Sequence, residues 1–189
     1  MIMGLDVSTS CIGVCVLDGK ELVHADYIVP DDGDIFEKIE FSFEKLCVAL
    51  EKYKKIDTIF VEEPLININQ KSSIDVIKKL IRFNFALLNN IYIHYKIKSI
   101  YVPASSAKKI LGIKKLALVD NELVQLVDVK LDKRLGFQYC LNTFKNFKSF
   151  VDKPVNKFSK GKFKGLMRDT CFDVTDSIVI ACAGPLYRP

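Results

Sequence analysis

Four of the 23 acidic residues in this 189-residue chain stand where water should not reach them. Asp6 lies inside the apolar run IMGLDV at residues 2–7, where an unpaired carboxylate is costly to desolvate. Glu62 ends the apolar run TIFV, with Glu63 and Pro64 directly behind it. Asp173 and Asp176 are three apart in TCFDVTDSIVIACA at 170–183. In a helix they share one face, while Val174, Ile178 and Val179 can point toward a core. Strand-end carboxylates and an i, i+3 pair on a helix packed nearby would converge on one point. Carboxylates that close repel one another unless a divalent cation neutralises them, and hard oxygen donors suit Mg²⁺ or Mn²⁺. Each acid also has a plainer reading. A strand-end Asp caps a turn or pairs with a lysine, Glu63 competes with Glu62 for any role, and Asp173 with Asp176 can complement a helix N-terminus. The ensemble favours the metal: one acid on the first strand, one on the fourth and two on the last helix.

Charge of the other sign is concentrated too. From Lys145 to Arg168 the sequence reads KNFKSFVDKPVNKFSKGKFKGLMR, with eight basic residues (Lys145, Lys148, Lys153, Lys157, Lys160, Lys162, Lys164, Arg168) against Asp152. The formal charge of +5 is therefore +7 on this stretch and −2 on the rest. Lysines neutralise phosphates, and Phe147, Phe150, Phe158 and Phe163 interleave with them as candidate stacking surfaces for unpaired bases. The alternative is a solvated lysine-rich loop, but its place just before the acidic helix favours guiding a polyanion toward the acids. A second basic group, Lys108, Lys109, Lys114 and Lys115, flanks Gly112 and reads equally as phosphate contacts or as a solvated helix face. His24 and His94 are isolated and read as structural.

These residues need a scaffold, and the pattern supplies one. Residues 2–7 and 11–17 read as apolar strands, Asp18-Gly19 signals a hairpin, and 21–29 supplies a third strand. Ile35, Ile39, Phe43, Leu46 and Leu50 recur at helical spacing over 34–55, with Asp34 as N-cap or first-turn acid. A strand at 57–63 stops at Pro64, a helix follows over about 73–95, and a strand at 98–102 stops at Pro103. Ser105 could cap a short helix that Gly112 ends, and another helix is expected over about 119–135. Residues 136–150 are ambiguous, and 170–183 reads as an apolar helix closed by Gly184-Pro185. The order predicts an α/β fold: a five-stranded mixed sheet, three antiparallel strands and then parallel ones, with helices on both faces. Residues 1–189 are expected to form one domain carrying a basic Phe/Lys-rich loop at 145–168.

GLDVSTSCIGVCVLDG at 4–19, FVEEP at 60–64, VPASSAKKILG at 102–112 and FDVTDSIVIACA at 172–183 together resemble the RuvC-like Holliday junction resolvases of the ribonuclease H-like superfamily, particularly small phage or viral members. The resemblance spans nearly the whole chain in the right order. It implies that Asp6, Glu62 (rather than Glu63), Asp173 and Asp176 are catalytic and hold two Mg²⁺ ions, for which Mn²⁺ can substitute. Lys109, Lys115, Lys157, Lys160, Lys162, Lys164 and Arg168 are then expected on the DNA. The family usually carries Gly two residues after its first Asp; here Ser8 stands there, with a hydroxyl available to hydrogen-bond within the turn. The expected activity is paired phosphodiester hydrolysis of four-way junctions by a homodimer, with the Ile74–Tyr95 helix as candidate interface. A related nuclease acting on other branched or hybrid nucleic acids, and a non-catalytic nucleic-acid-binding protein, are the alternatives. DVSTSCIGVCVLDG also looks like the first phosphate motif of actin-like sugar kinases. Those need two such domains, and they give the acidic helix pair no task.

Composition narrows the setting. At 49% hydrophobic and 27% charged residues the chain can bury a core and is not a disordered one. No signal peptide and no membrane-length apolar run is visible, so a soluble cytoplasmic protein is expected, acting on no membrane and no small-molecule substrate. The six cysteines (Cys11, Cys15, Cys47, Cys140, Cys171, Cys182) form no CxxC pair, which speaks for reduced thiols and against zinc.

Overall fold

The computed structural model describes residues 1–64, 74–113, 131–157 and 168–188. Five strands form one sheet: β1 (Ile2–Val7), β2 (Ile12–Asp18), β3 (Glu21–Ile28), β4 (Thr58–Glu62) and β5 (Lys98–Val102). Their order is β3-β2-β1-β4-β5. The β1–β2 and β2–β3 pairs are antiparallel, whereas β1–β4 and β4–β5 are parallel, as the strand pattern predicts. Among the described residues six helices accompany the sheet: α1 (Ile35–Lys52), α2 (Ile74–Tyr95), α3 (Ala104–Ile110), α4 (Leu131–Thr143), α5 (Lys145–Val151) and α6 (Thr170–Ala183).

Strand alternation sorts the core into two layers. Met3, Leu5 and Val7 of β1, Ile12, Val14 and Val16 of β2, and Ile59 and Val61 of β4 pack against α1 and α2, where Leu46, Phe83, Leu87 and Ile91 are fully buried. The opposite face, with Cys15, Leu17, Phe60 and Val102, meets α3, α4, α5 and α6. Because β1, β2 and β4 are covered on both sides, their sequences read as continuous apolar runs. α6 is buried on almost every side, which explains its apolar composition. Its interior hydroxyls bond within the helix, Thr175 Oγ1 donating to the Cys171 carbonyl at 2.9 Å and Ser177 Oγ to the Val174 carbonyl at 2.7 Å.

Local signals hold at several boundaries. Asp34 is the N-cap of α1 in a full capping box: its carboxylate accepts from the Phe36 and Glu37 amides at 2.7 and 3.0 Å, and Glu37 Oε2 accepts from the Asp34 amide at 2.8 Å. Asp18 pairs with Glu21 across a two-residue loop in which Gly19 takes φ +58°. Gly112, at φ +67°, ends the turn after α3. Ser105 does not cap α3: the helix begins at Ala104, set by Pro103, whose fixed φ suits the entry to a helix and which offers no side-chain cap. The expected helix at 119–135 falls within the described residues only in its last turn, which begins α4.

The expected loop at 145–168 needs correction in its first part. Residues 145–151 form α5, followed by a 3₁₀ turn at 154–156. Phe147 and Phe150 lie in the core, their rings stacked at 5.8 Å, so they are not free to meet bases. Lysines alternating with phenylalanines at helical spacing give an amphipathic element whose aromatic face is buried.

Three backbone groups of the edge strand β3 are bonded by side chains, two from other elements and one from the strand itself. Asn146 Nδ2 donates to the Leu22 carbonyl at 3.4 Å, Tyr53 Oη to the Val23 carbonyl at 3.2 Å, and Asp26 Oδ1 accepts from the Tyr27 amide at 2.9 Å.

Candidate metal centre

Asp6 and Phe60 point to the α6 side of the sheet, because the odd-numbered residues of β1 and β4's Ile59 and Val61 fill the other layer. The same alternation carries Glu62 to the α6 side, at the C-terminal tip of β4. Glu63 is exposed, and its amide donates to the Val102 carbonyl at 3.1 Å, bending the chain toward β5. Of the two neighbours, Glu62 is therefore the one on the α6 side.

Two glycines let α6 come close enough to deliver its acids. Gly13 faces Asp6 across the β1–β2 ladder, and any Cβ there would run into the Asp173 backbone carbonyl. A Cβ on Gly4 would likewise collide with the Ser177 carbonyl, one turn further along α6. The helix therefore rests on bare backbone beside Asp6. Carboxylate oxygens of Asp6, Glu62 and Asp176 all lie within 4.8 Å of one another. Asp173 stands outside that trio but within its field, hydrogen-bonded by the Cys11 thiol.

The electrostatics match the geometry. Burial holds the Asp6 carboxyl well above the usual range, and Glu62, Asp176 and Asp173 push it further, against Lys133. Glu62 is pushed up to about 7, first by burial and then by Asp176, with Lys108 and Lys133 opposing. Asp173 is raised, mainly by burial. Lys108 is only 6% exposed and its Nζ lies 3.5 Å from Asp176 Oδ1. Lys133 sits 5.8 Å above the Phe172 ring.

The donor set fits a hard divalent cation: three clustered carboxylates, with Glu62 Oε2 buried and without a hydrogen-bond partner among the described residues. Asp6, Glu62 and Asp176 would hold it, with Asp173 beside them. Among the described residues this is the one cluster of acids, thiols or imidazoles with that geometry; the six cysteines are free thiols, and Cys11 is the one bonded to Asp173.

The basic residues are less convergent. Lys109 is exposed, and its neighbour Lys108 is the one that faces the carboxylates. Lys157 is half-buried and pairs with Asp152 at 3.2 Å; Arg168 is exposed, its amide donating to the Asn156 carbonyl at 2.9 Å. Lys114, Lys115, Phe158, Lys160, Lys162, Phe163 and Lys164 lie outside the described residues. Sequence reading missed Lys133 altogether. No periodicity marks it, since its role comes from α4 crossing α6 near Phe172. Ser8, standing in the turn after Asp6, uses its hydroxyl as expected: it donates to the Cys11 carbonyl at 2.8 Å and accepts from the Cys11 amide at 3.0 Å. His24 packs at a tilt against Tyr53, ring centres 5.5 Å apart, and His94 likewise against Phe43 at 5.1 Å.

No protein-family model and no curated protein sequence matches the chain. Solved structures do. RuvC of T. thermophilus in complex with a Holliday junction substrate superposes with a TM-score of 0.61 at 11% identity, covering 98% of this chain and 92% of that one. Thermus thermophilus RuvC by itself gives 0.54 at 13% identity, covering 98% and 93%. The yeast mitochondrial Holliday junction resolvase Ydc2 gives 0.55 at 12% identity, covering 95% and 75%. Sheet order, strand directions and helix placement therefore give this chain the ribonuclease H-like fold of those resolvases.

Proposed function

We propose that this chain is a Mg²⁺-dependent endonuclease that resolves four-way DNA junctions. The observation that supports it most is the meeting of Asp6, Glu62 and Asp176 at the C-terminal ends of β1 and β4, on a fold shared with a RuvC bound to a Holliday junction. In this reading Asp6, Glu62, Asp173 and Asp176 hold two Mg²⁺ ions, with Mn²⁺ able to substitute. Bound there, such ions supply charge neutralisation at the scissile phosphate and activation of water near neutral pH. The residues of the chain do the rest. Burial raises the Glu62 carboxyl to about 7, so near neutral pH a cation bound there competes with a proton. Lys108 orients Asp176 by their ion pair and, with Lys133, keeps net repulsion down. In this reading Lys109, Lys115, Lys157, Lys160, Lys162, Lys164 and Arg168 contact the DNA. Hydrolysis of the P–O3′ bond leaves a 5′-phosphate and a 3′-hydroxyl. Two symmetric cuts require a two-fold homodimer.

The test compares synthetic four-way, three-way and linear duplexes with Mg²⁺. Wild type should cut the four-way junction in pairs. Asp6→Asn and Asp176→Asn should lower cleavage at least about a thousandfold while retaining junction binding in a gel-shift assay. Full activity in either variant refutes the site. Salt-dependent binding without any product under Mg²⁺ or Mn²⁺ would leave a non-catalytic DNA-binding protein instead.

A further inference from the structure

We infer that Asn84 is a positioning residue for Asp6, acting from the opposite face of the sheet through the backbone of Val7. The inference rests on the metal-site reading above. β1 pairs with β4 only as far as Leu5 opposite Val61, while its pairing with β2 continues to Val7 opposite Ile12. At the very residues that carry Asp6 and Glu62 the two parallel strands part company. β4 turns its next amide, that of Glu63, to β5. The Val7 carbonyl thus lies beyond the last β1–β4 pair, and a side chain takes the strand's place. Asn84, 1% exposed in the middle of α2, donates its Nδ2 to the Val7 carbonyl at 3.2 Å and to the Leu80 carbonyl of its own helix at 3.1 Å.

Two features separate this contact from ordinary packing. The rest of the inner face of α2 is apolar, with Phe83, Leu87, Leu88 and Ile91 buried, so an amide here is a deliberate interruption. Asn84 Oδ1 is also buried with no partner among the described residues. An amide held with half its hydrogen-bonding capacity unused is poorly chosen for stability alone, because a buried unsatisfied acceptor is destabilising. Its two donors, however, are both engaged, and one of them holds the Val7–Ser8 peptide, so the residue next to Asp6 is fixed from its far side. Since neighbouring residues of a strand point to opposite faces, pinning Val7 from the α2 side sets the direction in which Asp6 emerges on the α6 side. Partners that orient a metal-holding group without touching the metal typically alter affinity by about 10–100-fold.

The test uses Asn84→Leu, which keeps size and loses the donors, beside Leu88→Ala, which loosens the same helix without touching Val7. Mn²⁺ affinity of the full chain is measured by calorimetry, and amide exchange at Ser8 by NMR. Asn84→Leu should weaken Mn²⁺ binding by about tenfold or more and speed exchange at Ser8. Leu88→Ala should lower the melting temperature yet leave both readouts at wild-type values. Unchanged affinity in a folded Asn84→Leu, or an equal loss in Leu88→Ala, overturns the inference and leaves the metal site standing. A wild-type chain that takes up no Mn²⁺ overturns the metal site itself, and the inference with it.

Discussion

Glu62, Asp6 and Asp173 all give up their protons less readily than free carboxyls, in each case chiefly because burial disfavours the charged form. The sign of the consequence for stability follows by linkage. A group whose pKa is raised on folding binds more protons in the folded than in the unfolded chain, so stability falls as pH rises between the two values. For Glu62 that window runs from its ordinary 4.5 to about 7, and Asp6 acts in the same direction. Glu62 alone accounts for on the order of 3 kcal/mol. In EDTA the melting temperature should therefore drop from about pH 4.5 to about pH 7, and Mg²⁺ should raise it far more at the higher pH. A metal-free chain growing more stable over that range would contradict the buried cluster. Ionised acids held together are a state the fold tolerates only in company, which is why the lysines matter. Lys108 was legible as one of four equivalent basic residues and Lys133 not at all, because selecting them depends on how α3 and α4 lie across α6.

At the scale of elements, the two glycines under α6 carry the argument. Gly13→Ala puts a methyl group into the Asp173 carbonyl, and α6 must lift. The expected cost is about 1–3 kcal/mol in chemical denaturation, with weaker Mn²⁺ binding alongside, since the same displacement separates Asp173 and Asp176 from Asp6. Ala at Gly19, where a Cβ would meet nothing, should leave Mn²⁺ binding untouched and serves as the control. Neither glycine announces itself in the sequence: a Gly within a strand signals some close approach, not which helix makes it. The elements themselves were largely legible. β1, β5 and α6 lie where the apolar runs put them, and Asp34 with Glu37 marks the start of α1. Reading failed where charge outweighed pattern, at 145–151, whose lysines suggested a loop although Phe147, Phe150 and Val151 recur at helical spacing and fill the core. It stopped short at Glu62 against Glu63, which only the pairing of β4 with its neighbours decides.

For the whole molecule, the outer surface of α2 bears on assembly. Ile74, Ile81, Phe85 and Tyr92 repeat at intervals that keep them on one line of the helix, about a third of a turn around from its buried face, and Phe85 is 69% exposed. If paired cutting requires a dimer joined there, Phe85→Glu should shift sedimentation at micromolar concentration from dimer to monomer and uncouple the two incisions. A wild-type monomer under those conditions would argue against it. The other flank of the molecule follows an opposite logic. Along β3, three of the groups that an incoming strand would need are already taken by Asn146, Tyr53 and Asp26. Strand addition at this edge would first have to displace those side chains, which makes β3 a poor template for pairing with another chain.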